Sequence, residues 1–413
     1  MFCAGQQEKA GRSRMMDIGS HGIAYDRSEA IYGAGGDGVL RIGVIGLGIM
    51  GSEHATYLAA HAVNGAELTA VADLDRGRLA WAERQWGDAV ARFCDANELI
   101  ASGRCDGVLI ATPHFLHPSV SREALAHGLH VLCEKPIAVY TASARDLAGL
   151  AAERGLVFGV MYNQRTNPVY QQVRNLVISG ELGEIKRTSW TVTHWYRSQS
   201  YYEMGNWRAT WSGEGGGVLL NQCPHQLDLW QWVLNMMPVR IQAFMGFGKY
   251  HDIEVEDDVT AYVEYANGAT GTFITSTGEA PGTNRLEIAA DRGKLVVEND
   301  REIRFWRLVT SEREFNRTYR GGHGAPEVWQ VLMPLRGHET GYRGITQNWV
   351  DAIVRNEPLL APGEDGLQGL TLSNAMHLSA WTGRPVDLPL DEAEFERLLR
   401  ERMKTSAGPV WNG

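Results

Sequence analysis

The stretch Ile45-Gly46-Leu47-Gly48-Ile49-Met50-Gly51 limits what this chain can fold into more than any other segment. Three glycines spaced G-x-G-x-x-G mean little alone. Here they follow a β-rich apolar run, Leu40–Ile45, open the amphipathic stretch Ser52–Ala62, and are followed after a second apolar run, Glu67–Ala72, by Asp73. Strand, glycine loop, helix, strand and acid in that order make a dinucleotide-binding βαβ unit. Gly46 permits the tight turn, Gly48 lets the backbone approach a pyrophosphate, and Gly51 allows helix to pack on strand. The pyrophosphate rests on the helix N-terminus, at Ile49 and Met50, where free N–H groups and the dipole favour anions. Asp73, with Leu74 beside it, accepts hydrogen bonds from the adenosine ribose and repels a 2′-phosphate. The expected cofactor is NAD rather than NADP, a preference that nearby Arg76 tempers.

The same texture continues. Apolar runs at Gly107–Ala111, His130–Leu132 and Val157–Met161 alternate with helical segments at Arg78–Gln85, Pro118–His127 and Ala142–Arg154, as parallel strands with crossover helices do. After about residue 185 the runs lengthen and alternate with period two. Asn267-Gly268 lies between Val259–Tyr265 and Thr270–Thr275, which predicts a type I′ hairpin, and Asp291-Arg292-Gly293 lies between Leu286–Ala290 and Lys294–Glu298. Helices are expected at Val218–Leu234, Ile345–Arg355 and Leu367–Thr382, the last two parted by Pro358 and Pro362. The fold class is thus an α/β Rossmann domain plus an α+β domain with a large, mostly antiparallel open sheet. A length of 413 residues agrees with two domains. We place a disordered arm at 1–38, the dinucleotide domain at 39–163, the second domain at 164–390, and a C-terminal helix and tail at 391–413.

A net charge of −10 argues against nucleic acid or an anionic membrane as partner. No apolar stretch reaches the ~20 residues of a membrane helix. The five cysteines are scattered and form no CxxC pair, which reads as cytoplasmic thiols and gives no reason to expect a metal.

Three further segments carry a family resemblance: Ala111-Thr112-Pro113-His114-Phe115-Leu116-His117, Cys133-Glu134-Lys135-Pro136, and Gly215-Gly216-Gly217-Val218-Leu219-Leu220-Asn221-Gln222-Cys223-Pro224-His225-Gln226-Leu227-Asp228. With the glycine loop they resemble the Gfo/Idh/MocA oxidoreductases, dehydrogenases of sugars and cyclitols. The resemblance implies that Thr112, Pro113, His114 and His117 line the nicotinamide side of NAD. It implies that Lys135, next to Glu134, touches both cofactor and substrate hydroxyl, with Pro136 often in a cis bond. It also implies a homo-oligomer, dimer or tetramer, built on the open sheet. Physical chemistry supports the lysine, because burial beside a positive nicotinamide ring moves an ammonium toward useful acidity.

The family pattern in the glycine-rich segment is Asp-x-x-x-His. Here His225 is retained and the aspartate position is Asn221, a spacing that puts the two one turn apart on a helix face. Asn221 orients a hydroxyl but supplies no charge. Asp228 is a candidate for part of the missing carboxylate, and Lys135 for a larger share of the proton transfer.

Substrate contacts are expected from two places. Tyr162-Asn163-Gln164-Arg165 follows the last Rossmann strand, so Asn163 falls to the cofactor and Arg165 to the substrate. His194 to Trp211 is dense in aromatics, among them Tyr201, Trp207 and Trp211, with Arg197 and Arg208 between them. Apolar sugar faces stack on such rings while polar groups read the hydroxyls; some of these rings are also expected simply to cover the sheet.

The leading reading is NAD-dependent oxidation of a secondary hydroxyl on a sugar, sugar derivative or cyclitol, with Lys135 and His225 taking the proton. A second reading is an NAD-dependent glycosidase that oxidises C3 transiently, eliminates the aglycone, adds water and reduces again. Arg165, Arg197 and Arg208 would suit an anionic glycoside such as a uronate or sulfonated hexose. A third reading, a non-catalytic NAD sensor, is disfavoured by the presence of both Lys135 and His225.

Overall fold

Six apolar segments pair in parallel to form one sheet: β1 (Leu40–Ile45), β2 (Ala66–Ala72), β3 (Ala91–Phe93), β4 (Gly107–Ile110), β5 (His130–Cys133) and β6 (Phe158–Val160). They are seen in a computed structural model that describes residues 38–411; the arm placed at 1–38 lies almost wholly outside the described residues. The strand order is β3-β2-β1-β4-β5-β6. It reverses between β1 and β4, and the crevice at that switch point is where such sheets bind ligands. Ile42, Val44, Val108, Leu109 and Val131 are wholly buried, as a sheet covered by helices on both faces requires.

The short strand β3 was not expected from the sequence. The helix expected at Ala142–Arg154 is broken into a turn at Thr141–Ser143 and a helix at Leu147–Glu153. Asn374 explains the break, since its side chain accepts from the Thr141 N–H (3.2 Å) and donates to the Val139 carbonyl (3.0 Å).

The second sheet contains β7 (Ile185–Val192), β8 (Arg240–Phe247), β9 (Glu256–Glu264), β10 (Thr270–Ser276), β11 (Asn284–Ala290), β12 (Gly293–Glu298), β13 (Glu302–Leu308), β14 (Val328–Leu332) and β15 (Val386–Asp387). Its order is β14-β13-β12-β11-β7-β10-β9-β8-β15, and β7 with β10 is the parallel pair in an otherwise antiparallel ladder. The turn between β9 and β10 is not the type I′ hairpin expected. Gly268 takes a positive φ of +83° and Asn267 does not. The Asn267 side chain instead accepts from the Ala269 N–H (3.0 Å) and donates to the Ile185 carbonyl (3.1 Å). The result is a three-residue loop closed by a glycine bulge.

Helices at Pro168–Ile178, Pro224–Leu234 and Gly366–Thr382 pack beside this sheet, and every residue of Pro224–Leu234 is buried. That helix begins six residues later than the sequence predicts. Glu256, wholly buried, accepts from the N–H groups of Gly217 (2.9 Å) and Leu219 (3.0 Å), which holds the preceding glycine segment out of helical geometry. Pro224 then starts the helix at its first position. Asn221 therefore stands before the helix rather than one turn from His225 on a common face.

Candidate active site

The glycine loop has the shape that the sequence predicts. Gly46 takes a φ of +90°, and a Cβ there would meet the Ala111 carbonyl oxygen at 2.7 Å. A Cβ on Gly51 would lie 1.7 Å from the Gly46 oxygen, so helix and loop are as close as backbone allows, whereas a Cβ on Gly48 would meet nothing within 4 Å. The helix Ile49–Ala59 has Gly48 at its N-cap and no side chain capping it, which leaves free N–H groups facing that open space. Asp73 accepts from the Leu47 N–H (2.6 Å) and from the Asp75 N–H (2.8 Å), tying the end of β2 to the loop. Ile49 and Leu74, beside these tied residues, are exposed apolar side chains and Met50 is half-buried. Open space, free N–H groups and a tied acidic residue make a shape that suits a dinucleotide.

The other predicted groups gather just beyond the C-terminal ends of the neighbouring strands. Thr112 and Pro113 follow β4, Glu134 and Lys135 follow β5, and Asn163 follows β6. The Thr112 hydroxyl and the Asn163 side-chain oxygen are buried without a protein partner, and bound NAD would give them one. Both ring nitrogens of His117 face carbonyls, those of Pro136 and Thr112, each at 2.7 Å. The Lys135–Pro136 bond is cis.

Glu134 and Lys135 diverge. Glu134 is buried, with Oε1 on Nε2 of His54 (2.7 Å) and Oε2 accepting from the Lys135 backbone N–H (3.0 Å). Its role here is to pin the strand end against the first Rossmann helix. Lys135 sends its side chain the other way, where Nζ donates to the Asn221 carbonyl at 2.9 Å. Burial lowers the pKa of its ammonium, and the carboxylates of Glu134 and Glu214 work against that shift.

His225 opens the buried helix, its ring edge-on to Tyr162 at 6.2 Å, and its Nδ1 has no partner in the protein. Burial, then the Lys135 charge, pushes it down to about 3. It is a neutral imidazole with a free nitrogen.

Two expectations do not survive. Arg165 forms a paired contact with Asp228 (Nε to Oδ2 2.8 Å, Nη2 to Oδ1 2.5 Å) and a second with Asp365 (2.6 Å), with its side chain almost wholly buried. It is spent on structure and does not reach a substrate. Asp228 for the same reason is no substitute for the missing carboxylate beside His225.

The carboxylate that acts on His225 is Glu134, while a second buried carboxyl, Glu214, not expected from the sequence, stands beside Asn221. The Glu214 side chain accepts from the Ala209 N–H (2.6 Å) and from the Asn221 amide, while its carbonyl accepts from Nδ1 of His114 (3.2 Å). Burial pushes its carboxyl up to about 7. The available signal was its position directly before three glycines. Also unforeseen were His54 and the tail: Ser406 donates to Glu254, and Trp411 Nε1 donates to the Gly213 carbonyl (2.9 Å), bracing the Glu214 loop.

Around this centre the aromatic segment divides. Trp211 packs on Phe247, His377 and Trp381 and covers the sheet. Trp207 meets His114 edge-on at 5.7 Å, and Arg208 lies over both Trp207 (4.7 Å) and Tyr201 (4.8 Å).

Residues 40–162 match the oxidoreductase family with an NAD-binding Rossmann fold, and residues 170–296 match the GFO/IDH/MocA C-terminal domain. The chain belongs to the Gfo/Idh/MocA family. It is 32% identical to inositol 2-dehydrogenase 1 of Saccharopolyspora erythraea over 354 residues, 85% of this chain and 97% of that one. It is 27% identical to 1,5-anhydro-D-fructose reductase of Ensifer adhaerens over 70% of this chain and 82% of that enzyme. Among solved structures it resembles the WlbA dehydrogenase of Bordetella pertussis in complex with NADH and UDP-GlcNAcA, with a TM-score of 0.73, 26% identity, and coverage of 86% and 99%. This Gfo/Idh/MocA protein is therefore an NAD-binding, sugar dehydrogenase-like oxidoreductase. Among its described residues no helix is long and apolar enough to cross a membrane.

Proposed function

We propose that the protein oxidises a secondary hydroxyl of a sugar, sugar derivative or cyclitol, with Lys135 as the group that takes the hydroxyl proton. The observation that carries this is Lys135 itself, a shifted ammonium at the end of β5 whose Nζ is anchored on the Asn221 carbonyl. Glycines 46, 48 and 51 with Asp73 would hold NAD, and Thr112 and Asn163 would offer it their unpartnered oxygens. When bound, NAD accepts the hydride. Lys135 orients the substrate hydroxyl and accepts its proton. His225, neutral, offers its free nitrogen to a substrate hydroxyl. Glu214 is a positioning residue: through Asn221 it fixes the carbonyl that holds Lys135, and its ionisation favours the ammonium once the proton has arrived. The kinship with an inositol dehydrogenase and with a WlbA dehydrogenase supports this class of substrate.

One observation favours the second reading, a redox-assisted glycosidase. Oxidation alone needs a single proton acceptor, whereas elimination also needs one group to take the C2 proton and one to protonate the aglycone. Glu214, poised at about 7 near Lys135, is a second titrating group in the same site.

We also propose a homo-oligomer. Phe244 on β8 and Tyr262 on β9 lie exposed on the outward side of the second sheet, a face suited to a second copy. The four described cysteines are unpaired, in keeping with a cytoplasmic setting.

The test is to incubate the protein with NAD and a panel of free sugars, cyclitols, uronates and aryl glycosides, following NADH absorbance and aglycone release together. Stoichiometric NADH from free sugars or cyclitols without aglycone release supports the dehydrogenase. Catalytic aglycone release that needs NAD yet accumulates no NADH replaces it with the glycosidase.

A further inference from the structure

The three arginines that the sequence offers for an anion differ sharply in their company. Arg165 has two carboxylates within ion-pair distance. Arg197 and Arg208 have none among the described residues. Each gives one Nη1 hydrogen bond to a neutral oxygen: Arg208 to the Tyr201 hydroxyl (2.9 Å) and Arg197 to the Tyr196 carbonyl (2.9 Å). The Nε–H of each is buried and meets no acceptor. The Nε and Nη2 edge is the one that a carboxylate or other planar oxyanion takes with two parallel hydrogen bonds.

Aromatic rings hold both groups in place. Arg197 lies 5.0 Å from the Tyr201 centroid and 5.7 Å from that of Trp195, and Arg208 lies on Tyr201 and Trp207. Two like charges thus share one tyrosine ring. Stacking offsets part of the charge of each cation. It leaves the buried N–H groups unsatisfied, a cost that a ligand oxyanion removes.

The place of the pair identifies which ligand this is. Arg208 stacks on Trp207, whose ring meets His114 edge-on at 5.7 Å, and His114 in turn holds the Glu214 carbonyl, so Arg208 lies at the reacting end of the site. The glycine loop, where the pyrophosphate would sit, already has its own helix N-terminus. The Glu214 carboxylate is held by the Ala209 N–H and the Asn221 amide and pairs with neither arginine. Tyr201 accepts from Arg208 and from Gln222 Nε2 (3.3 Å), which frees its own hydroxyl proton for a ligand.

We propose that Arg197 and Arg208 form an oxyanion clamp that selects a substrate carrying a carboxylate, sulfonate or phosphate group. The inference rests on the sugar-oxidoreductase reading and names its substrate class.

The experiment compares matched substrates of one stereochemistry: a neutral hexose, its uronate, its 6-sulfonate and its 6-phosphate. Holoenzyme turnover of NAD is measured for each, together with calorimetric binding of the same compounds to Lys135→Ala protein loaded with NAD. We expect at least one anionic compound to exceed the hexose in kcat/KM by on the order of tenfold or more, mainly through KM. The preferred arm tells carboxylate, sulfonate and phosphate apart. In Arg208→Met and Arg197→Met that anionic-to-neutral ratio falls by about tenfold, and Arg208→Lys recovers part of it, because the charge returns without the fork. Equal or better turnover of the neutral hexose, or an unchanged ratio in both methionine variants, overturns the clamp and leaves the dehydrogenase standing. Calorimetric binding of an anion that depends on both arginines, with no NADH from any compound, supports the clamp and removes the dehydrogenase reading. Absence of selective anion binding in the calorimeter overturns the clamp whatever the turnover.

Discussion

The Asn221 carboxamide donates to Oε1 of Glu214 while the Asn221 carbonyl receives the Lys135 ammonium. One residue that carries no charge thereby couples a buried carboxyl to the lysine in the site. At the position of the family pattern's aspartate, an amide thus sits between the Glu214 carboxyl, seven residues earlier in the chain, and the Lys135 ammonium.

This coupling predicts opposite effects of Glu214→Gln on stability and activity. The carboxyl titrates near 7 in the folded protein against an ordinary value of 4.5. Ionisation therefore costs folding free energy that is absent below pH 4.5, grows as pH rises, and is complete above 7. Glu214→Gln should be more stable than the parent at pH 8, by up to about 3 kcal/mol, and equal to it near pH 4.5. Its kcat/KM for oxidation should drop by about tenfold or more at pH 8 and lose the rise through pH 7 expected of the parent. Denaturant melts at both pH values and a pH–rate profile check this; a variant with lower stability at pH 8 and an unaltered profile removes Glu214 from the mechanism.

His225 gives a second pH signature with its own sign. Its folded value near 3 lies below the ordinary 6.5, so the unfolded chain binds an extra proton between those limits. Stability is full above 6.5 and falls with acidity by up to about 1.4 kcal/mol per pH unit. His225→Gln should flatten the stability curve in that window, and the activity profile of the parent should show no histidine limb near 6.5. An imidazole resonance of His225 titrating in the ordinary range would contradict the buried, neutral ring.

How much of this was legible depends on how local each feature is. Gly46, Gly48, Gly51 and Asp73 lie within one βαβ unit, so their spacing together with the flanking strand and helix pattern made them candidates. Lys135 was readable through the Glu-Lys-Pro resemblance, and the structure puts it just after β5. The late start of the helix at Pro224 depends on Glu256, a residue more than thirty positions downstream whose carboxylate captures the glycine segment. Arg165 and Arg208 look alike in sequence. Only Asp228 and Asp365, 63 and 200 residues from Arg165, make one structural and leave the other open. Glu214 left only its position before three glycines as a signal, because its partners, a backbone N–H and an amide, carry no charge pattern to read.

The Arg165 and Asp228 pair leads to a stability prediction. Both side chains are almost wholly buried, so Asp228→Asn leaves a guanidinium balanced by Asp365 alone. We expect a loss of about 3–5 kcal/mol, and a similar loss for Arg165→Met. The double variant Arg165→Met with Asp228→Leu should recover most of it, because removing both charges removes both desolvation penalties. Urea unfolding of the three proteins checks this, and strictly additive losses would show that the two side chains are not coupled.

The glycine loop separates cofactor affinity from folding. At Gly48 an added methyl group meets nothing and the φ of −62° suits any residue. Gly48→Ala should therefore fold with an unchanged melting temperature without ligand, yet bind NAD more weakly by about tenfold or more, because the methyl occupies the path of the pyrophosphate. At Gly51 the same methyl lies 1.7 Å from the Gly46 oxygen, so helix and loop must separate. Gly51→Ala should lose melting temperature as well as NAD affinity. Melting curves and fluorescence titrations with NAD on both variants decide the matter. If Gly48→Ala binds NAD as the parent does, the open space above Gly48 is not where the pyrophosphate lies, and the dinucleotide must cross the loop elsewhere.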